Sequence, residues 1–255
     1  MTVQSYLAFP PQVNPVLAKA MQGTLVPQIT FQNPYLEAYG RSIPQDGFGG
    51  DLVDLVQLDK DVIAYVADVS GHGVAAGMLM GMVKTALRYG LMLNQRLPKL
   101  LEGINGVLPF VKEPNMYATF AGLRLNHGGE LEYSIAGNMP LLHYRRSREE
   151  VVRLSMQQFP LGLFPGVGYE SQHVPCTAGD LFAIFTDGLV ETMDAWGEEF
   201  GLQRLEGVLR ELAARPLSEI YRAALDAVHL HGRQSDDRTL MLIRMLGCDG
   251  ECHAA

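Results

Sequence analysis

The hydrophobic pattern of the chain alternates between short apolar runs and longer stretches with helical spacing. Apolar runs at residues 62–67 and 181–185 are short and rich in β-branched or aromatic side chains, which is typical of buried strands. After residue 73 the spacing of apolar residues changes to three and four, which predicts a helix over residues 74–89. The methionines at positions 78, 80 and 82 are interpreted as core residues of that helix.

The same criteria predict elements along most of the chain. Helices are expected over residues 15–22, 97–108, 202–214 and 218–231, and strands over 36–39, 52–58, 117–125, 131–135, 141–144 and 240–246. Residues 59–61 and 126–129 have the composition of hairpin turns, and residues 145–150 that of a charged surface turn. Antiparallel turns and helical hairpins, rather than alternating strands and helices, predict an α+β fold without an internal domain boundary.

Composition and charge exclude several classes of protein. The 255 residues are 47% apolar and 19% charged, with a net charge of −8, which argues against a nucleic-acid surface. No basic, apolar signal peptide is recognised, and no run approaches the roughly 20 apolar residues of a membrane span. Three cysteines do not form a disulfide framework, so a cytoplasmic location is expected. The Cys248, Cys252 and His253 group is interpreted as an unstructured tail rather than a metal site.

Four aspartates share one kind of position along the chain. Each lies at the start or end of a predicted core strand, beside Gly, Ser or Asp: Asp51, Asp68, Asp187 and Asp236. One such aspartate alone is adequately explained as a turn residue. If the four strand ends meet, the carboxylates would repel one another unless cations lie between them. Oxygen ligands favour Mg²⁺ or Mn²⁺ over zinc, and two such ions can activate water for attack on a phosphoryl group.

These residues belong to a set of motifs that resembles a known family. The motifs are Gly49-Gly-Asp51-x-x-Asp54, Asp68-Val-Ser-Gly-His-Gly73, Ala136-Gly-Asn138, Pro160-Leu-Gly162, Thr186-Asp-Gly188 with Glu191, and Asp236-Asp-x-Thr239. In order and spacing they resemble the metal-dependent (type 2C, PPM) serine/threonine protein phosphatases, in the bacterial SpoIIE-like or RsbU-like branch. The resemblance covers residues 17–246, and implies an N-terminal extension over 1–16 and a C-terminal tail over 247–255.

The resemblance implies a four-layer αββα sandwich of two antiparallel sheets flanked by helices, with a dimanganese or dimagnesium site at one edge. Asp68 would bridge the two ions and the Val69 carbonyl would reach one of them. Asp187 and Asp236 would hold the other ion, and Asp51 would complete the cluster. A metal-bridging hydroxide would then attack phosphoserine or phosphothreonine directly. Supporting roles are expected for the remaining polar and glycine positions, Asp54, Gly71, Gly188 and Asp237.

Three positions depart from the family pattern or have an open role. Asn138 stands where the family usually has His, in a turn that is not expected to bind metal. Arg41 is a candidate for binding phosphate, although a surface arginine is the favoured interpretation. His72 is a candidate general acid for the leaving group, with a turn histidine as the alternative.

The resemblance also implies partners. The expected substrate is a phosphorylated protein, in particular an anti-sigma-factor antagonist with a STAS domain. Regulatory input is expected at the helix before residue 27 and the helix after residue 74, from a separate protein or a neighbouring subunit, so a homodimer stays open. Two alternatives also stay open: a catalytically inactive module that binds phosphoproteins, and a small-molecule phosphohydrolase with the same metal site.

Overall fold

The structure is a computed structural model that describes residues 15–45, 47–59, 61–126 and 130–247. The strands are β1 Ile29–Gln32, β2 Leu36–Ile43, β3 Leu52–Gln57, β4 Asp61–Val69, β5 Ala118–Asn126, β6 Glu130–Ala136, β7 Leu141–Arg145, β8 Glu150–Leu154, β9 Gln172–Pro175, β10 Leu181–Phe185 and β11 Arg238–Met245. The α-helices are α1 Pro15–Leu25, α2 Gly73–Met92, α3 Leu97–Val107, α4 Asp187–Val190, α5 Gly201–Leu212 and α6 Leu217–His231, and a 3₁₀ turn covers Leu108–Phe110.

The strands form two sheets in which every strand pair is antiparallel. One sheet has six strands in the order β1-β2-β11-β10-β7-β8, and the other has five in the order β3-β4-β5-β6-β9. Side chains of both sheets, including Leu36 and Ile243 of the first and Leu55 and Leu123 of the second, line one small internal space. The sheets therefore pack face to face, which confirms the predicted α+β sandwich.

The alternation of side chains along β10 and β11 explains the helical layers. Phe182 and Ile184 of β10 belong to the core between the sheets, whereas Leu181, Ala183 and Phe185 belong to a second core with α4, α5 and α6. Helices α2 and α3 contact the five-stranded sheet. Each sheet is therefore buried on both faces, and this accounts for the continuous apolar run of β10.

Several elements differ from the sequence prediction. Strands β1, β8 and β9 and the short helix α4 were not predicted. Strand β8 extends beyond the predicted charged turn and pairs with β7 at the edge of the six-stranded sheet. Its side chains are mostly half-buried, so its sequence lacks the apolar run that identifies a central strand.

The interpretation of the methionines of α2 is wrong for two of the three. Met80 is fully buried, but Met78 and Met82 are 58% and 44% exposed. Residues four apart lie on one face of a helix, and this face of α2 points away from the sheet that covers Met80.

Some predictions fall on residues that the structure does not describe. The 126–129 hairpin includes residues 127–129, although the strands on either side pair as expected for a hairpin. The Cys248, Cys252 and His253 group and the start of the chain before α1 also lie outside the described residues. No helix in the described ranges is long and apolar enough to cross a bilayer.

Candidate metal centre

Asp51 and Asp68 meet because β3 and β4 form a hairpin. Leu52 pairs with Ala67 in this antiparallel register, so the next position outward places Asp51 opposite Asp68. Like charges opposite one another on a sheet are destabilising without a compensating cation. The bend before β3 is tight, since a Cβ on Gly50 would lie 2.6 Å from the Val69 carbonyl oxygen. A side chain larger than glycine therefore cannot occupy position 50 without moving this carbonyl.

The ends of β10 and β11 bring the second pair of aspartates to the same place. Phe185 pairs with Leu240, and just beyond them the Thr186 amide donates to the Thr239 carbonyl at 3.2 Å. Asp187 begins α4, while Asp236 lies in the turn that leads into β11. The two segments touch closely at Gly188, where a Cβ would lie 2.1 Å from the Asp237 carbonyl oxygen. Glycine is required here by the close approach of two backbones.

Two threonines link the two halves of the cluster. The carboxylate of Asp51, 1% exposed, accepts hydrogen bonds from Thr186 Oγ1 at 2.8 Å and Thr239 Oγ1 at 2.5 Å. Thr239 lies in β11 of the six-stranded sheet and Thr186 directly follows β10 of that sheet, whereas Asp51 precedes the five-stranded one. The buried charge is thus held between the sheets by donors on the opposite layer. Sequence analysis gave these threonines no role, although each lies within three residues of a candidate aspartate.

Asp237 has a structural role in the loop before β3. Its Oδ1 accepts the Gln45 amide at 2.8 Å and its Oδ2 accepts the Asp51 amide at 3.4 Å. A Cβ on Gly49 would lie 1.9 Å from the same Oδ2. The side chain of Asp237 is therefore occupied in holding the backbone that presents Asp51.

The carboxylates act on one another electrostatically. Burial, followed by the charges of Asp187, Asp236 and Asp237, raises the pKa of Asp68 from 3.8 to about 7. Burial, and then the charge of Asp68, raises the pKa of Asp51 well above its usual range. Burial and Asp236 raise the pKa of Asp187 as well. All four candidate aspartates therefore belong to one cluster.

A neighbouring acid extends this cluster at its exposed side. Burial, followed by the charges of Asp187, Glu199 and Asp236, raises the pKa of Glu191. In the described part of the chain, no Lys, Arg or His forms an ion pair with the four candidate aspartates or Asp237. The negative charge is thus left without a protein counterion.

The donor set fits a hard divalent cation. Carboxylates and a backbone carbonyl are the oxygen ligands that Mg²⁺ and Mn²⁺ prefer. Among the described residues, no three His, Cys, Asp or Glu side chains are already arranged to hold an ion by themselves. Sites for Mg²⁺ usually complete their ligand shell with water.

The structure does not bring Arg41 into the cluster. Arg41 pairs with Leu240, whose side chain faces the helices, and the charge of Arg41 acts on Tyr221 of α6. His72 is exposed at the first turn of α2, between Gly71 and Gly73, both at positive φ. Asn138 lies in the turn after β6, where its Oδ1 accepts the Met139 amide at 2.7 Å. The roles suggested for Arg41 and His72 stay predictions.

Asp54 forms a buried ion network rather than part of the acidic cluster. Its carboxylate accepts Arg88 Nε at 2.7 Å, Arg88 Nη2 at 2.5 Å and the Tyr65 hydroxyl at 2.8 Å. Lys84 Nζ lies 3.4 Å away and also donates to the carbonyl of Leu25, the last residue of α1. Asp54 therefore ties both α2 and α1 to strand β3.

We expect Asp54→Asn to lower the free energy of unfolding by about 2–4 kcal/mol, because it leaves two cations without a buried partner. Urea unfolding, monitored by circular dichroism, measures the free energy of unfolding of each variant. Asp59→Asn, at the exposed far end of the same hairpin, is the matched control and should change stability by less than about 0.5 kcal/mol. Equal stabilities of the two variants would contradict the network.

Solved structures identify the class of protein that this fold and site define. The RsbU and RsbW domains of a Mycobacterium tuberculosis protein superpose with a TM-score of 0.77 at 24% identity, over 88% of this chain and 64% of that chain. This chain thus spans under two thirds of that structure. The catalytic domain of the serine/threonine protein phosphatase PstP, in complex with two manganese ions, has a TM-score of 0.63 at 14% identity, over 83% of this chain and 99% of that chain. The fold is that of the PP2C-type phosphatases.

Sequence comparison then gives the family. The model of the family described as stage II sporulation protein E (SpoIIE) matches residues 59–246, well over half of the chain. The chain therefore belongs to the SpoIIE family. The phosphoserine phosphatase RsbU of Bacillus subtilis (strain 168) is 25% identical over 234 residues, which are 89% of this chain and 69% of RsbU. The family match begins after Asp51, whose place in the cluster is given by the structure.

Proposed function

We propose that this chain, a PP2C-type serine phosphatase of the SpoIIE family, hydrolyses phosphoserine or phosphothreonine of a partner protein with the help of two Mn²⁺ or Mg²⁺ ions. The observation that carries this proposal is the convergence of Asp51, Asp68, Asp187 and Asp236 from four strand ends, where no Lys, Arg or His among the described residues forms an ion pair with them. Structural aspartates that are buried usually pair with an arginine or a lysine. Here the charge is left available for divalent ions.

Each candidate residue is proposed to contribute to one or both of the metal ions. Asp68 would bind both ions, and the action of the charges of Asp187, Asp236 and Asp237 on its pKa supports this role. Asp187 and Asp236 lie on the β10–β11 side and would hold one ion together. The Val69 carbonyl lies against Gly50 on the β3–β4 side, where it would complete the other ion's ligands together with Asp51. When bound, such ions would activate a water molecule and neutralise the phosphoryl oxygens.

Asp51 would be oriented by Thr186 and Thr239, because their hydroxyls donate to its carboxylate. Asp237 would keep the Asp51 backbone in place without binding metal itself, since both of its oxygens already accept backbone amides. These contacts would orient the carboxylate and the backbone of Asp51 for binding a cation.

The proposed substrate is an anti-sigma-factor antagonist carrying a phosphorylated serine or threonine, as the RsbU relationship suggests. A separate regulatory protein would act on α1 and α2. An apolar groove of about 800 Å³ between these helices supports this location, and its lining includes the exposed Met21, Met78 and Met82. Lys84 connects the end of α1 to Asp54 on β3, three residues from Asp51, so movement of these helices would reach the metal centre.

We expect Mn²⁺-dependent release of phosphate from a phosphoserine peptide, and loss of that activity in excess EDTA with recovery when Mn²⁺ is returned. A malachite-green assay measures it, with p-nitrophenyl phosphate assayed in parallel. Turnover that persists in EDTA would contradict the metal mechanism.

The same assay separates the alternatives. Hydrolysis of p-nitrophenyl phosphate without hydrolysis of any phosphopeptide or phosphoprotein would favour a small-molecule phosphohydrolase. Binding of the phosphopeptide without turnover, with Mn²⁺ bound as measured by calorimetry, would favour an inactive binding module.

A further inference from the structure

A second cavity lies beside the acidic cluster and has the opposite charge. It has a volume of about 710 Å³ and lies between the turn after α4, the end of α6 and the start of β11. Its polar lining comprises Asp194, His229, His231, Arg233, Gln234 and Arg238. On a chain of net charge −8, a cavity lined by two arginines and two histidines against one aspartate is unusual.

Arg238 is buried in the wall of this cavity without a counterion. The residue is 4% exposed, and its Nη2 donates to Thr192 Oγ1 at 3.0 Å and to the Gly232 carbonyl at 3.3 Å. Its buried Nε has no acceptor, and no carboxylate in the described residues forms an ion pair with it. Burying an arginine this way is costly unless an anion compensates its charge.

The one carboxylate of the lining does not supply that compensation. Asp194 Oδ1 accepts the amides of Trp196 and Glu198 at 2.8 and 2.9 Å, so it is engaged in its own turn. Arg233 is exposed at the cavity and likewise has no ion-pair partner among the described residues. Two arginines therefore line one cavity, and neither forms an ion pair with another described residue.

The position of the cavity relates it to the proposed catalytic centre. Arg238 follows Asp236 by two residues, and Thr192 accepts from Arg238 while donating to the carbonyl of Gly188, next to Asp187. The segment that leads into β11 thus carries Asp236 of the acidic cluster together with both arginines of the cavity lining.

We propose that the cavity binds an acidic side chain of the phosphoprotein substrate, close in sequence to the residue being dephosphorylated. This inference rests on the proposed function and adds a substrate preference to it. A carboxylate has the planar pair of oxygens that a guanidinium recognises best, and its charge would neutralise Arg238 and Arg233. Free inorganic phosphate offers the same chemistry, so the test includes it as a separate arm.

The test compares two fluorescent phosphoserine peptides that differ only in flanking Glu or flanking Gln. Binding is measured by anisotropy in EDTA, and kcat/KM is measured with Mn²⁺. For the wild-type protein we expect the Glu peptide to be favoured by about ten-fold in both measurements. In Arg233→Glu this ratio should fall to about one or below, because the exposed charge is reversed. Arg238→Gln should reduce the ratio too, and a thermal melt shows whether it folds.

Arg210→Glu is the matched control, because Arg210 is an exposed arginine on α5 outside the cavity. It should keep the wild-type ratio. An equal ratio in Arg233→Glu and Arg210→Glu, or no preference in the wild-type protein, would overturn the inference. Loss of the Glu preference in millimolar inorganic phosphate, with binding of the Gln peptide unchanged, would assign the cavity to free phosphate instead, which also overturns it. Loss of turnover with an intact Glu preference in EDTA would count against the proposed function alone.

Discussion

Replacing Asp68 with Asn is expected to lower kcat for phosphopeptide hydrolysis by at least about a thousand-fold, equivalent to roughly 4 kcal/mol of transition-state stabilisation. Asp68 is the carboxylate on which the charges of Asp187, Asp236 and Asp237 all act. Its neutral amide would remove the charge that the proposed pair of ions shares. Single-turnover and steady-state assays at saturating Mn²⁺ measure the effect.

Calorimetry with Mn²⁺ gives a readout that does not depend on activity. We expect Asp68→Asn and Asp187→Asn to weaken metal binding strongly. Asp59→Asn is the control, because Asp59 lies at the opposite end of the β3–β4 hairpin and is exposed. Wild-type metal affinity together with wild-type kcat in Asp68→Asn would remove this residue from the site.

The same substitution is expected to stabilise the protein when no metal is present. The pKa of Asp68 is raised from 3.8 to about 7 in the folded protein, so the folded state binds more protons than the unfolded state between these values. The free energy of unfolding must therefore fall as the pH rises through this window. The raised pKa values of Asp51, Asp187 and Asp237 act in the same direction.

In EDTA we expect the Tm of the wild-type protein to fall by about 5–10 °C between pH 5 and pH 8, corresponding to a few kcal/mol. Asp68→Asn should show a flatter pH profile and a higher Tm than wild type at pH 8. In saturating Mn²⁺ the wild-type protein should instead have the higher Tm at pH 8, because it binds the ion more tightly than Asp68→Asn does. Differential scanning fluorimetry checks this, and a wild-type Tm that rises with pH in EDTA would contradict it.

The central elements were predictable because their signal is local. The apolar run of β10 was predicted with the bounds that the structure shows, and the helical spacing after residue 73 located α2 to within a few residues. Strand β8 escaped prediction because an edge strand is stabilised by its neighbour and needs no apolar run of its own. The short helix α4 escaped because four residues are too few to show a period.

The candidate site was predictable only in part. Aspartates beside glycines at strand ends identified Asp51, Asp68, Asp187 and Asp236 as candidates, and the family resemblance suggested how they group. The threonines that hold Asp51 come from a strand pair more than a hundred residues away. No local pattern records such a contact. The sequence also could not predict that Arg238 forms no ion pair with a described residue. That property depends on which side chains the fold places beside Arg238.

The sequence by itself determined the types of the main helices and strands, the net negative charge and the set of candidate carboxylates. These properties depend on residue type and on the spacing of apolar residues close together in the chain. Only the tertiary structure decided that four strand ends meet, that Asp237 serves the backbone while Asp54 binds Arg88, and that two methionines of α2 face outward. Pairing between distant strands sets these outcomes, because a carboxylate's environment depends on groups brought to it by folding.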